Sequence, residues 1–285
     1  MTAQQPNPPT RRRDSSELPA ALGSADLLAD VLAEELRGRR LALFLDYDGT
    51  LTPIVERPED ATLPPATRDA LRRLARRCPV AVVSGRGLDD VRALVDLDQV
   101  YYAGSHGFRI AGPDGSRTTH EAGQAFLPAV DRAENELLTE LRDIDGASVE
   151  RKDVAVAVHF RRVAPARRDE VIERFHRVAA AHDKLATSRG KMVLELRPDL
   201  DWDKGQAVLW LLRALDLDDT RTLPVFIGDD TTDEDAFAAL QGRGIGILVR
   251  DEPRPTAAQH ALEDPRQVRR FLEALEHELA REPRR

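Results

Sequence analysis

Two aspartates one residue apart, Asp46 and Asp48, close the run Leu41-Ala42-Leu43-Phe44-Leu45 and lead into Gly49, Thr50 and Leu51. Five unbroken apolar residues suit a strand buried on both faces, and period-two geometry turns both carboxylates to the same side where it ends. Ligands of open α/β sheets bind at that carboxyl edge. Two acids so close oppose each other's ionisation, so one can keep a proton near neutrality unless a metal neutralises the pair. A nucleophile and a proton donor can then stand side by side. Taken alone, Asp-x-Asp-Gly fits a solvated turn equally well. Two further runs argue against the turn: Val80-Ala81-Val82-Val83 ends in Ser84, Gly85 and Arg86, and Val225-Phe226-Ile227-Gly228 ends in Asp229 and Asp230 ahead of Asp233.

The chain holds 38 arginines and four lysines, Lys152, Lys184, Lys191 and Lys204. Lysine is a compact ammonium where arginine is a planar fork, so its few positions mark places that suit a point charge. Three of the four lie within motifs described below.

The elements that must position these groups follow from periodicity. A helix begins at Ser24, with Leu27, Leu28, Val31, Leu32 and Leu36 on one face, and stops at Gly38. After the first strand come a proline-containing loop, a helix over residues 66–77, the second strand, a helix over 87–95 and a strand over 100–103. This alternation implies a parallel sheet. Between residues 118 and 197 the pattern becomes helix, two close strands, helix and more strands, as expected of a separate antiparallel layer. There Val154, Val156, Val158 and Phe160 alternate with Ala155, Ala157, His159 and Arg161. Met192, Leu194 and Leu196 alternate in the same way with Lys191, Val193, Glu195 and Arg197. One face would pack on the two helices, leaving Glu150, Lys152, His159, Arg161, Lys191 and Glu195 on the other. Residues 198–285 return to α/β alternation. The expected fold is therefore α/β, with a tail over 1–23, a Rossmann-like core over 24–117 and 198–285, and an inserted α+β cap over 118–197.

With 285 residues the chain can form one sizeable α/β domain carrying an insertion. Its formal net charge of -8 argues against nucleic acid as a partner. One cysteine, Cys78, rules out an internal disulfide and a cysteine-rich metal site. Arg11-Arg12-Arg13 faintly resembles a twin-arginine signal, but Asp14, Ser15, Ser16 and Glu17 follow where an apolar run is required. No apolar stretch approaches the roughly 20 residues of a membrane span. We expect a disordered tail and a cytoplasmic monomer.

The order of these parts resembles the haloacid dehalogenase-like (HAD) phosphatases. More narrowly, over residues 38–280 the chain resembles the trehalose-6-phosphate phosphatases. The resemblance rests on Asp46-Tyr47-Asp48-Gly49-Thr50-Leu51, Ser84-Gly85-Arg86, Gly104-Ser105-His106-Gly107, Glu150-x-Lys152, His159-Phe160-Arg161, Gly190-Lys191 with Glu195-Leu196-Arg197-Pro198, and Gly228-Asp229-Asp230-x-x-Asp233. Phe160 departs from it, since the family often carries tyrosine there. The resemblance implies that Asp46 is the nucleophile, forming an aspartyl-phosphate, and that Asp48 is the general acid and base. It implies Mg²⁺ held by Asp46, the Asp48 carbonyl and Asp229, with Asp230 and Asp233 behind them. Ser84, Lys204 and Thr50 would bind phosphate oxygens. Arg86, Gly104, Ser105, His106, Glu150, Lys152, Arg161, Lys191 and Glu195 would bind the substrate, trehalose 6-phosphate. The cap would close over it, with hinges at residues 111–116 and 197–203. Two alternatives remain at this point: a capped phosphatase for sucrose or hexose phosphates, and a catalytically silent sugar-phosphate sensor.

Overall fold

The structure is a computed structural model, which describes residues 13–14, 25–55, 57–119, 124–190, 192–200, 202–250 and 252–281. The expected helix start at Ser24 and the site residue Lys191 lie outside these, as does most of the expected tail. Arg13–Asp14 (β1) pairs antiparallel with Pro255–Thr256 (β13).

The larger lobe is built on an eight-stranded sheet. From one edge its strands run His260–Leu262 (β14), Ile245–Val249 (β12), Thr222–Gly228 (β11), Arg40–Leu45 (β2), Val80–Val83 (β3), Tyr101–Gly104 (β4), Arg109–Ala111 (β5) and Arg117–Thr119 (β6). The first six are mutually parallel, β5 runs antiparallel to β4, and β6 runs antiparallel to β5. Leu41 to Leu45, Val80 to Val83 and Thr222 to Gly228 are buried throughout, because helices cover both faces as a parallel sheet requires. On one side pack helices α1 (Ala25–Glu35), α2 (Pro65–Leu74), α3 (Leu88–Val95) and α8 (Pro265–Arg281), through Leu28, Leu32, Leu71, Val91, Phe271 and Leu275. On the other lie α6 (Lys204–Ala214) and α7 (Asp233–Leu240), through Val208, Leu211, Phe237 and Leu240.

The chain runs from β2 outward through β3 and β4, then returns to lay β11 against the other side of β2. That reversal opens a crevice at the carboxyl ends of β2 and β11, where ligands of such sheets bind. Asp46 follows one strand and Asp229 the other.

The smaller lobe is a four-stranded antiparallel sheet in the order Ser148–Arg151 (β7), Val156–His159 (β8), Val193–Pro198 (β10), Leu185–Gly190 (β9). Helices α4 (Leu127–Leu141) and α5 (Arg168–Ala179) cover one face. Val130, Leu137, Val171 and Phe175 from the helices meet Val156, Val158, Phe160, Leu194 and Leu196 from the sheet. Phe160 is thus a core residue on the helix side.

One expected hinge is corrected. Residues 111–116 form the tight turn joining β5 to β6, closed by Gly112 N–H on the Ser116 carbonyl and Ser116 N–H on Asp114. This hairpin stays with the larger sheet, so the chain leaves that sheet only after Thr119. Periodicity could not reveal it, since each strand has three residues.

Candidate active site

Asp46 lies 5 % exposed at the end of β2, and Lys204, 3 % exposed, begins α6. The Lys204 Nζ donates to Asp46 Oδ1 at 2.8 Å and to Asp233 Oδ1 at 2.6 Å. Asp203 starts this helix by accepting from Gln206 N–H, which fixes where the lysine emerges. Asp233 begins α7, and its Oδ2 accepts from the N–H groups of Asp229 and Asp230, both at 2.9 Å. It thereby orders the loop that presents Asp229.

Carboxylate oxygens of Asp46, Asp229 and Asp233 lie within 4.8 Å of one another. Burial, reinforced by Asp233 and Asp229 and opposed by Lys204, holds Asp46 well above the usual carboxylate range. Burial and then Asp233 push Asp229 up to about 7, against a hydrogen bond from Thr50. Burial disfavours charge on Lys204, yet Asp233 and Asp46 outweigh it and raise the ammonium's pKa. One cation facing three carboxylates leaves surplus negative charge in a poorly solvated place. A hard cation would relieve it, and an all-oxygen donor set suits Mg²⁺.

Gly49 is shaped by this cluster. Its φ is +79°, and a Cβ there would stand 2.0 Å from Asp229 Oδ2. Only glycine lets the loop after β2 lie against that carboxylate.

Ser84 is buried at the end of β3, and its Oγ accepts from Arg86 N–H. Main-chain bonds from Ser105 N to Arg86 O and from His106 N to Ser84 O join this loop to the one after β4. Burial, with Lys204, Lys152 and Arg197 nearby, pushes His106 down to about 3, so its imidazole is neutral at pH 7. Arg86 grips Asp48 bidentately, Nε to Oδ2 at 2.6 Å and Nη2 to Oδ1 at 2.7 Å, and also bonds Asp90. Geometry of this kind is among the stronger protein ion pairs.

The cleft above these groups has a volume of about 610 Å³, within the range of roughly 300–1,000 Å³ common for small-molecule sites. Asp46, Asp48, Ser84, Arg86, His106, Lys204, Asp229 and Asp230 line it from below, and Glu150, Lys152 and His159 from the smaller lobe. A hollow of about 690 Å³ lies at the opposite sheet edge, beside Arg39, Thr222, Gly244 and His260. Although it is larger, it lacks the carboxylate cluster and sits at the amino ends of the strands.

Strand register places Glu150, Ala157 and Glu195 in one row across β7, β8 and β10. The small alanine separates the two acids and leaves a shallow floor between them. Lys152 donates to Glu195 at 2.6 Å, and Glu150 Oε2 lies 2.5 Å from His159 Nε2.

Other expected residues are placed differently. Thr50 donates to Asp229 at 3.1 Å. Gly104 does not line the cleft; a Cβ there would meet Leu88 N at 2.4 Å, so the glycine permits close packing of β4 on the start of α3. Ser105 turns its hydroxyl to Asp153, and Arg161 is exposed outside the cleft. Asp230 is exposed and bonds Thr232 N–H. Asp153 was missed by sequence reasoning. Its only signal is an acid directly after the Lys152 of a motif.

The family profile described as trehalose-phosphatase matches residues 44–266. The trehalose-phosphate phosphatase of Mycobacterium tuberculosis (strain ATCC 25618 / H37Rv) is 43% identical over 280 residues, covering 97% of this chain and 70% of the relative. The probable trehalose-phosphate phosphatase D of Arabidopsis thaliana is 41% identical over 264 residues, covering 88% and 71%. Among solved structures, a trehalose-6-phosphate phosphatase related protein aligns with a TM-score of 0.71 at 27% identity, covering 83% of this chain and 97% of that one. The Aspergillus fumigatus trehalose-6-phosphate phosphatase (crystal form 3) aligns at 0.61 and 26% identity, covering 87% and 97%.

Proposed function

Because this chain belongs to the trehalose-phosphatase family, we propose that it hydrolyses trehalose 6-phosphate to trehalose and phosphate. The observation that carries this reading is the meeting of Asp46, Lys204 and Asp229 in the crevice between β2 and β11, beneath a polar sheet face bearing Glu150, Lys152 and Glu195.

Asp46 attacks phosphorus, and the bond from phosphorus to the sugar oxygen breaks as an aspartyl-phosphate forms. Asp48 gives its proton to the departing oxygen. Water then attacks the phosphoryl group, Asp48 takes back a proton from it, and Asp46 is released as a carboxylate. For the first step Arg86 must free an Asp48 oxygen, which then takes up a proton from water, and a phosphate oxygen offers the guanidinium a replacement partner. Ser84 and Lys204 face the transferring oxygens and counter their charge. Mg²⁺ held by Asp46, Asp229 and the Asp48 carbonyl would supply further charge neutralisation there. His106, being neutral, serves as a hydrogen-bonding group. Asp233 steadies Asp229 and Lys204, and Thr50 steadies Asp229.

The smaller lobe acts as a cap. Lys152 and Glu195 exchange their ion pair, and Glu150 its contact with His159, for the hydroxyls of the distal glucose ring, and sugars that leave these charges unpaired are rejected. Among the described residues no helix is long and apolar enough to cross a membrane. A monomer working in the cytoplasm is part of the same proposal.

Phosphate release from trehalose, sucrose, glucose and mannose 6-phosphates, with and without Mg²⁺, tests it. We expect strong preference for the trehalose ester and dependence on the metal. Equal turnover across the panel would defeat the substrate assignment.

A further inference from the structure

Asp153 belongs to the turn between β7 and β8 of the smaller lobe, yet its carboxylate is spent entirely on the larger one. Oδ2 accepts from Leu88 N at 2.9 Å and from Ser105 Oγ at 3.1 Å, while Oδ1 accepts from Arg109 Nη1 at 2.5 Å. The side chain is 11% exposed, so these bonds are mostly shielded from water. Two of these donors border the phosphate edge. Leu88 opens α3 one residue beyond Ser84-Gly85-Arg86, and Ser105 precedes His106. Gly87 stands before α3 and has no side chain to cap it, so a residue of the other lobe satisfies the first amide. The neighbouring Lys152 faces the cleft and pairs with Glu195.

From this arrangement we propose that Asp153 is a latch: docking on Leu88, Ser105 and Arg109 sets the height of the cap above the phosphate edge and so positions Lys152 and its neighbours for a large substrate. Asp153 is a positioning residue, since it touches none of the reacting groups. The latch rests on the phosphatase reading only for its kinetic consequence. A bulky sugar phosphate needs contacts from both lobes at once, whereas a small ester needs the phosphate edge alone. Undocking should therefore penalise the first and spare the second.

The test compares wild type, Asp153→Ala, Asp153→Asn and Arg109→Gln on trehalose 6-phosphate and on p-nitrophenyl phosphate, together with amide hydrogen exchange at Leu88. Asp153→Ala should raise KM for trehalose 6-phosphate by at least about tenfold, the effect of losing one hydrogen bond to a charged group. On the small ester kcat/KM should change by less than about threefold. Exchange at Leu88 should accelerate. Asp153→Asn keeps a carbonyl acceptor for Leu88 and should recover part of the loss. Arg109→Gln, which removes the ion pair from the other side, should move in the same direction. Equal losses on both substrates, or unchanged exchange at Leu88, would overturn the latch. If wild type proves inactive on trehalose 6-phosphate, the functional reading fails, and Leu88 exchange alone still decides for or against docking.

Discussion

Lys204 is held between Asp46 and Asp233, and all three groups are almost completely buried. Removing the ammonium leaves Asp46 without its cation and Asp233 with only the N–H groups of Asp229 and Asp230. Lys204→Met should therefore destabilise the protein by about 3–5 kcal/mol, the usual cost of breaking a buried pair from one side, and denaturant unfolding without metal would measure it. A loss under about 1 kcal/mol would mean that the acids find other relief. Gly49 offers a second test. Its left-handed φ and the 2.0 Å approach to Asp229 leave no room for a methyl group, so Gly49→Ala should displace that carboxylate. We expect Mg²⁺ affinity, read by calorimetry, to fall by about tenfold or more, as for loss of a supporting contact at a metal site, while circular dichroism stays native. Unaltered affinity would place the metal away from Asp229.

At the scale of elements, β2, β3 and β11 were legible because buried parallel strands read as unbroken apolar runs that end abruptly in polar residues. Asp46, Ser84 and Asp229 each follow such a run. The two faces of the smaller sheet were also legible, since alternation over Val156 to His159 and over residues 193–197 gives side directly. Strands of three residues were not. The β5–β6 hairpin has no pattern of its own, and its turn was read as a hinge. Partners distant in sequence were equally hidden: Arg86 was expected to meet sugar or phosphate, yet it grips Asp48, and nothing in Ser-Gly-Arg says so. The row Glu150, Ala157, Glu195 depends on register and becomes visible only with the sheet assembled. If this row reads the distal ring, Glu195→Ala or Glu150→Ala should reduce kcat/KM for trehalose 6-phosphate more than that for p-nitrophenyl phosphate. A uniform reduction on both would remove substrate selection from this face.

For the whole molecule, the proposed function divides the labour between an edge that would handle phosphate and a sheet face that would meet the sugar. Charge crowding at the edge carries a consequence for stability. Asp229 titrates at about 7 in the folded protein, above its ordinary carboxylate value. Between those two values the folded state binds more protons than the unfolded one, so metal-free stability should fall as pH rises from about 4 to about 7. Mg²⁺ competes with that proton, and its stabilising effect should grow over the same interval. Thermal melting at several pH values, with EDTA or with Mg²⁺, would show this. A metal-free melting temperature that rises steadily toward pH 7 would contradict the placement of the charges. The central claim, that Asp46 forms the bond to phosphorus, is tested most directly by trehalose 6-phosphate turnover in Asp46→Asn beside wild type at saturating Mg²⁺. The amide keeps the shape and loses the nucleophile, so kcat should fall by about 10³-fold or more. Activity within about tenfold of wild type would contradict covalent catalysis at this aspartate.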